Sequence, residues 1–284
     1  RPYQAAIYDI KRIENIAFVE GKSAQFVSKK DVGKYFFLEG NKIYTDKISE
    51  FACICDAKTQ GAMIRRIENI YDCIFIDEVQ DLAGYDLEVL ELLIHSKVQI
   101  MAVGDNRQAT YATNYSPKNS RFKGKNIIDL FKMWESKVWC SIEERNECYR
   151  ANQVICDFAD ALYPSMPKTI SQNNSITGHD GIFTIPSTEI TSYIEKYKPQ
   201  VLRYRRSVDT ENLQALNFGL SKGQTFPRVL IFPTGGIKHY LKNNTLDDKV
   251  GDIPKFYVAV TRAKYSVAFV FDDKPANNQI TQIL

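Results

Sequence analysis

Charged and amide side chains directly follow a short apolar run, a position where packing alone would not place them. The run 74-IFI-76 leads into 77-DEVQD-81. A carboxylate at a strand end can hold Mg²⁺, and a neighbouring Glu can accept a proton from an attacking water. A second polar group, 104-GDNRQ-108, follows another strand-like run about 25 residues later. An isolated Asp-Glu pair is usually a surface turn, but the two groups together indicate nucleotide hydrolysis.

The elements that must position these groups alternate along the chain from residue 74 onward. Apolar runs of strand length alternate with helical periodicity, which predicts an α/β fold with parallel sheets and helices on both sides. Residues 1–70 contain short strand-like pieces joined by turns, and 164–181 reads as a long connection. The predicted strands are 73–77, 98–103, 138–142, 182–185, 200–204, 228–232 and 266–271; the predicted helices are 85–95, 126–135, 151–162, 188–197 and 254–263.

Ligands of open parallel sheets bind beyond the carboxyl ends of the strands. Asp77 ends one predicted strand, and the strand 98–103 runs directly into the loop 104–108. We therefore expect the two polar loops to converge on one site at the same edge of one sheet.

Composition sets broad limits on the function. The chain has 284 residues and a net charge of only +3, so the total charge implies no strong polyelectrolyte partner. Basic residues cluster at 118–125 and 203–206, and each cluster is typical of a solvated loop. No apolar run approaches the roughly 18 residues of a membrane span. The six cysteines are interpreted as reduced thiols of a cytoplasmic protein.

Five sequence motifs, in one order along the chain, are similar to those of superfamily 1 helicases of the UvrD/Rep/PcrA type. The resemblance covers about 74–271 and is that of a compact member. It implies two RecA-like domains, 1–147 and 148–284, with an ATP cleft between them. The motifs are 77-DEVQD-81, 104-GDNRQATY-111, 146-NECYR-150, 221-SKGQTFPRVLIF-232 and 257-YVAVTRAKYSVAFVF-271.

The resemblance assigns catalytic roles to five residues, with ATP and Mg²⁺ as cofactors. Asp77 would hold the Mg²⁺, and Glu78 would orient or deprotonate the attacking water. Gln108 would sense the γ-phosphate of ATP. Arg150 and Arg262 would be arginine fingers, which can supply on the order of 10³–10⁵ in rate. Without the family, Arg262 also reads as a cation at a helix C-terminus.

Further residues would contact the nucleotide and single-stranded DNA. Gly223 would let the backbone approach the nucleotide closely, and Thr225 stands where the family usually has a Glu. Tyr111 would stack on a base, although a packed loop aromatic is the alternative. Thr110 and Asn114 complete the expected DNA contacts; Asn114 belongs to a pair that replaces the family's usual aromatic and Arg.

The phosphate-binding loop GxxxxGK[ST] has no convincing match in the chain. In 16-IAFVEGKS-23, Ile16 stands where the first Gly belongs, and 234-TGGIK-238 lacks the spacing. Since the chain begins at Arg1, we expect the loop upstream; an inactive relative that never had one is the alternative. A large accessory domain of the full-size relatives also has no room between Arg150 and Ser221.

These observations predict an ATP-dependent translocase or helicase acting on single-stranded DNA. The rival is a non-catalytic or nucleotide-sensing subunit that binds a partner such as a nuclease. A standalone small-molecule enzyme would need a catalytic set of its own, which the sequence does not contain. Translocation polarity, DNA against RNA preference, pathway and oligomeric state are left open.

Overall fold

The computed structural model describes Tyr3, Ile7 and residues 13–283. The chain divides into two compact units, residues 1–142 and 143–284, and each is described by itself. The assignment of 1–147 and 148–284 as two RecA-like domains stays a prediction.

The first unit holds a small three-stranded sheet and a separate pair of strands. In the small sheet, β1 pairs parallel with β3, and β2 pairs antiparallel with β3. The elements are β1 (Asn15–Ala17), α1 (Val32–Phe36), β2 (Phe37–Leu38), β3 (Lys42–Tyr44), α2 (Ile48–Lys58), α3 (Ala62–Glu68), β4 (Cys73–Ile76), α4 (Tyr85–Ile94), β5 (Gln99–Ala102) and α5 (Ile127–Ser136).

Strands β4 and β5 are parallel and in register, with Ile74 opposite Ile100. Alternate side chains of a strand point to opposite faces of its sheet. One face packs on α4 and α5, where Leu87, Leu90 and the fully buried Trp134 form the core. The pair thus presents the loops that follow β4 and β5 at one edge.

The other face of this strand pair carries apolar side chains that remain in water. Phe75 is 73% exposed, and its register partner Met101 is 51% exposed. Parallel sheets usually have both faces covered. Among the described residues, helices therefore cover one face of this pair and not the other.

The second unit is built on a six-stranded sheet in the order β10-β9-β11-β12-β8-β13. Every pairing in it is parallel. Its elements are β6 (Glu147–Cys148), α6 (Gln153–Asp160), β7 (Ile170–Ser171), β8 (Gly181–Ile185), α7 (Ile190–Tyr197), β9 (Gln200–Arg203), β10 (Leu216–Asn217), β11 (Phe226–Phe232), α8 (Gly235–Asn243), α9 (Ile253–Thr261), β12 (Ala263–Val270) and β13 (Ile280–Gln282).

Helices cover both faces of this sheet. Val229 and Val267 point into a core shared with α6, α8 and α9. Leu230 and Ala268, one residue further along the same strands, point into a core shared with α7. The near-continuous apolar runs of β11 and β12 follow from this two-sided burial. The α/β fold with parallel sheets flanked by helices is confirmed.

One prediction about local structure was wrong. Residues 138–142 form no strand but a turn and loop after α5, where Val138 has a φ of +62°. The described part of residues 1–70 contains the short strands β1 to β3 and also helices, α2 and α3 among them, that the sequence did not predict.

The cysteines are free thiols, and Cys55 and Cys156 are the buried ones. Among the described residues, no helix is both long and apolar enough to span a membrane.

Candidate functional site

The backbone turns sharply where β4 ends. Asp77 Oδ1 accepts a hydrogen bond from the N–H of Glu78 at 2.7 Å. Glu78 has a φ of +53° and a ψ of +39°, the left-handed conformation that residues other than Gly seldom adopt. Such conformations cost on the order of 1–3 kcal/mol and cluster at functional sites. This strained turn thus contains two consecutive carboxylates, those of Asp77 and Glu78, directly after β4.

Gln80 joins the loops that follow the two strands. Its side chain is fully buried, and its amide Nε2 donates to a carboxylate oxygen of Glu78. Its Oε1 accepts a hydrogen bond from the N–H of Asp105 at 3.1 Å. Both ends of one amide are thus used, one on each loop. Gln80 is not among the site residues predicted from the sequence, although its place within DEVQD was a signal.

Gly104 is required by this contact. A Cβ added at Gly104 would lie 2.3 Å from Gln80 Oε1 and 3.0 Å from Val79 Cγ1. The backbone bonds reinforce the junction, because the N–H of Val79 donates to the carbonyl of Val103 at 3.0 Å. The structure therefore brings the two polar loops together, as the parallel order of β4 and β5 predicts.

Asp105 organises the second loop. Its Oδ1 accepts from the backbone N–H and the Nε of Arg107, each at 3.0 Å. Its Oδ2 accepts from Gln108 Nε2 at 3.0 Å. The amide of Gln108 is therefore held within its own loop.

A Mg²⁺ ion fits the donor set at this edge. Mg²⁺ is usually held by one or two carboxylates, with waters and substrate phosphates as its other ligands. Asp77 is exposed, and its Oδ1 is occupied by the Glu78 N–H while its second oxygen has no hydrogen bond in the described part of the chain. No group of three His, Cys, Asp or Glu side chains suited to a metal occurs among the described residues.

The residues expected to contact DNA have different environments. Tyr111 is 62% exposed. Thr110 is half-buried, and its N–H donates to the carbonyl of Gln108. Asn114 is only 2% exposed, and its Oδ1 accepts from the N–H of Ser116 at 2.8 Å. Asn114 is thus a buried loop residue here, so we leave it out of the proposed DNA surface.

The two predicted arginine fingers lie together at the C-terminal end of α9. Arg150 Nη1 donates to the carbonyl of Thr261 at 3.2 Å. Arg262 is 1% exposed; its Nε donates to the carbonyl of Val258 at 3.1 Å and its Nη1 to the carbonyl of Gln224 at 3.4 Å. Cations are favourable beside the last carbonyls of a helix. The sequence-based alternative for Arg262, a cation at a helix C-terminus, describes its place in this structure.

The loop before β11 adjoins these arginines. Gly223 has a φ of +78°, and a Cβ there would meet no atom within 4 Å. Thr225 is exposed. The N–H of Phe226 donates to the carbonyl of Arg262 at 2.9 Å, which ties this loop to the start of β12. Gly223 is thus an open position that favours glycine, and its contact with the nucleotide stays a prediction.

Neither partial match to a phosphate-binding loop has the required geometry. The N–H of Ser23 donates to the buried carboxylate of Asp46 at 3.2 Å, and α1 begins only at Val32. In the other segment, Thr234 caps α8 by accepting from the N–H of Ile237. The sequence already argued against both, because Ile16 replaces the first Gly of one and the other lacks the spacing.

Comparison with known proteins supports a helicase relationship for part of the chain. Residues 43–116 match the family model described as UvrD/REP helicase N-terminal domain. None of the curated proteins compared with the chain matches it. The matched range contains both loops joined by Gln80.

Solved structures similar to the chain include viral helicases. The PRRSV helicase is 19% identical, with a TM-score of 0.41, over 70% of this chain and 34% of that one. An arterivirus nonstructural protein 10 (helicase) in complex with DNA is 19% identical, with a TM-score of 0.40, over 69% of this chain and 39% of that one. The chain spans little more than a third of the length of these helicases.

Proposed function

We propose that this chain is the ATP-hydrolysing part of a UvrD-like motor that moves along single-stranded DNA. The observation that carries the proposal is the junction made by Gln80. It holds the loop of Asp77 and Glu78 against the loop of Asp105 and Gln108, within a segment that matches the UvrD/REP helicase family.

The proposed roles follow from placement. Asp77 would hold Mg²⁺, which neutralises charge on the phosphates when bound. Glu78, kept in place by Gln80, would orient the attacking water and accept its proton. Gln108 would leave Asp105 and bond the terminal phosphate, so its state would report whether that phosphate is present.

The second unit would contribute hydrogen-bond donors to the nucleotide rather than a nucleotide-binding pocket of its own. Arg150 and Arg262 lie at the amino ends of β11 and β12, whereas open parallel sheets bind ligands at the carboxyl ends. An arginine supplied from outside the nucleotide-binding sheet is the usual form of an arginine finger. Gly223 and Thr225, on the adjoining loop, would contact the nucleotide. Of the two arginines, the half-buried Arg150 fits the finger role better than the buried Arg262.

The burial of Arg262 supports a second candidate function. A guanidinium committed to carbonyls of its own unit suits a helicase-like subunit that senses nucleotide or binds a partner, such as a nuclease, without hydrolysing ATP. The two candidates differ in one measurable property, which is turnover of ATP.

The test is ATP hydrolysis by the full-length protein, with and without a single-stranded oligonucleotide. We expect DNA to stimulate hydrolysis. Glu78→Gln should lower kcat by about 10²–10⁴-fold and leave ATP binding intact, because general-base catalysis contributes that much. Glu20→Gln, an exposed Glu in the same unit, is the matched control. Normal turnover by Glu78→Gln would remove the role of Glu78; no turnover by the wild type would favour the non-catalytic subunit.

A further inference from the structure

A basic loop at residues 121–125 carries three cations. Arg121, Lys123 and Lys125 are exposed. Lys118, just before the loop, pairs with Glu88 at 3.3 Å. In the described part of the chain, neither Lys123 nor Lys125 has a side-chain hydrogen bond or an ion pair. From sequence alone, the segment is interpreted as a solvated loop.

The base of the basic loop is fixed by buried neighbours. Phe122 is 8% exposed and packs in the core of the first unit, and Ile127, just after the loop, is 1% exposed. Gly124 has a φ of +62°, and a Cβ there would lie 3.6 Å from the Cβ of Ala109. The two lysines flank this contact. Anchored cations lose less conformational freedom on binding than those on a mobile tip.

The contact with Ala109 joins the basic loop to a segment that carries two exposed tyrosines. Ala109 lies two residues before Tyr111, which is 62% exposed, and Tyr115 further along the same loop is 39% exposed. Proteins that bind single-stranded nucleic acid combine cations that follow the backbone with aromatic rings on which bases stack. A solvated loop has no need of either the anchor or the neighbouring rings.

We propose that Lys123 and Lys125 bind the phosphate backbone of a single-stranded nucleic acid whose bases stack on Tyr111. This inference rests on the proposed function and adds a backbone-binding element to it. Ala109 directly follows Gln108, so the same loop would carry both the phosphate sensor and the nucleic-acid contact. Occupancy of one would be mechanically coupled to the other.

The test is binding of a fluorescent oligothymidylate to the full-length protein, measured by anisotropy over a series of NaCl concentrations. Each phosphate contact on a single strand contributes about 0.7 to the slope of log K against log salt. Lys123→Ala/Lys125→Ala should therefore lower that slope by about 1.4. Lys97→Ala/Lys132→Ala removes the same charge from exposed positions of the same unit and should leave the slope unchanged.

The outcomes separate the inference from the function. If the wild type binds DNA and the Lys123/Lys125 variant keeps its slope, the inference is overturned and the motor stands. If the variant instead loses ATP binding with its DNA slope unchanged, the lysines serve the triphosphate and the inference is also overturned. If the wild type binds no single strand, both proposals fail. Unchanged thermal unfolding of both double variants checks that folding is intact.

Discussion

Gln80 Oε1 accepts a hydrogen bond from the backbone N–H of Asp105 at 3.1 Å, and this bond joins the loops at the ends of β4 and β5. The same amide donates to Glu78, so the position of the proposed base depends on the second loop. Hydrogen bonds therefore link Glu78, Gln80 and Asp105 in one chain.

Gln80→Ala should lower the free energy of unfolding by about 1–3 kcal/mol, because it removes a fully buried side chain and leaves the N–H of Asp105 without its acceptor. Gln99→Ala, at an exposed position of β5, should change it by less than about 0.5 kcal/mol. Urea denaturation of the two variants gives the comparison. Equal midpoints would show that the Gln80 bond contributes nothing to stability.

Arg262→Ala should destabilise the protein more than Arg150→Ala. Arg262 is buried and donates to carbonyls of α9 and the loop before β11, so its removal should cost on the order of 3 kcal/mol. Arg150 is half-buried, and losing its bond to Thr261 should cost about 1 kcal/mol. Thermal unfolding followed by circular dichroism measures both. A stable Arg262→Ala protein would contradict its structural role.

His179 should make the stability of the protein fall in mild acid. Its ring stacks on those of Phe183 and Tyr197, with distances between ring centroids of 4.1 and 3.7 Å. Its Nε2 forms a hydrogen bond with the hydroxyl of Tyr193. Burial, assisted by Arg228, lowers the pKa of His179 to about 4 from its usual 6.5. The folded state therefore prefers the neutral ring, and its contribution is complete above pH 6.5 and lost as pH falls toward 4.

Between pH 7 and pH 5 this effect amounts to about 2 kcal/mol. His179→Gln cannot titrate, so it should lose less stability than the wild type over the same interval. Urea denaturation at the two pH values provides the measurement. An identical pH dependence in both proteins would exclude His179 as the cause.

Cys148 should react with iodoacetamide at neutral pH faster than Cys53. A hydrogen bond from the Cys156 thiol, and backbone N–H groups including that of Ala151, lower the pKa of Cys148. Burial raises the pKa of Cys53 to about 12. Since the thiolate is the reactive form, peptide mass spectrometry after timed alkylation should find Cys148 modified first.

Cys156→Ala removes the donor and should slow the alkylation of Cys148 at neutral pH. The rate should then rise more steeply with pH than in the wild type. A rate that does not respond to Cys156→Ala would mean that this hydrogen bond has no influence on Cys148.

The sequence predicted the four central strands of the second unit, β8, β9, β11 and β12, because their apolar runs are buried on both faces; it missed the short strands β6, β7, β10 and β13. It missed α8, since the segment begins with two glycines, which disfavour helices. Gly236 is nevertheless required there, because a Cβ would lie 2.0 Å from the carbonyl oxygen of Lys249. A packing constraint from a distant residue leaves no local signal.

Similar reasons limited the prediction of the candidate site. The convergence of the loops after β4 and β5 followed from the parallel order alone. The burial of Arg262 did not, because it depends on how the end of α9 meets the loop before β11. The strand predicted at 138–142 failed because the N–H of Trp139 bonds back to the carbonyl of Trp134 and ends α5 with a turn.

Phe75 and Met101 lie side by side on the face of β4 and β5 that no described helix covers. An exposed hydrophobic patch of this kind favours association with other apolar surfaces. We expect residues 1–142 alone to aggregate through this face, whether or not the loops that follow the two strands are correctly folded. Detergent or a polar replacement of Phe75 would separate the two problems.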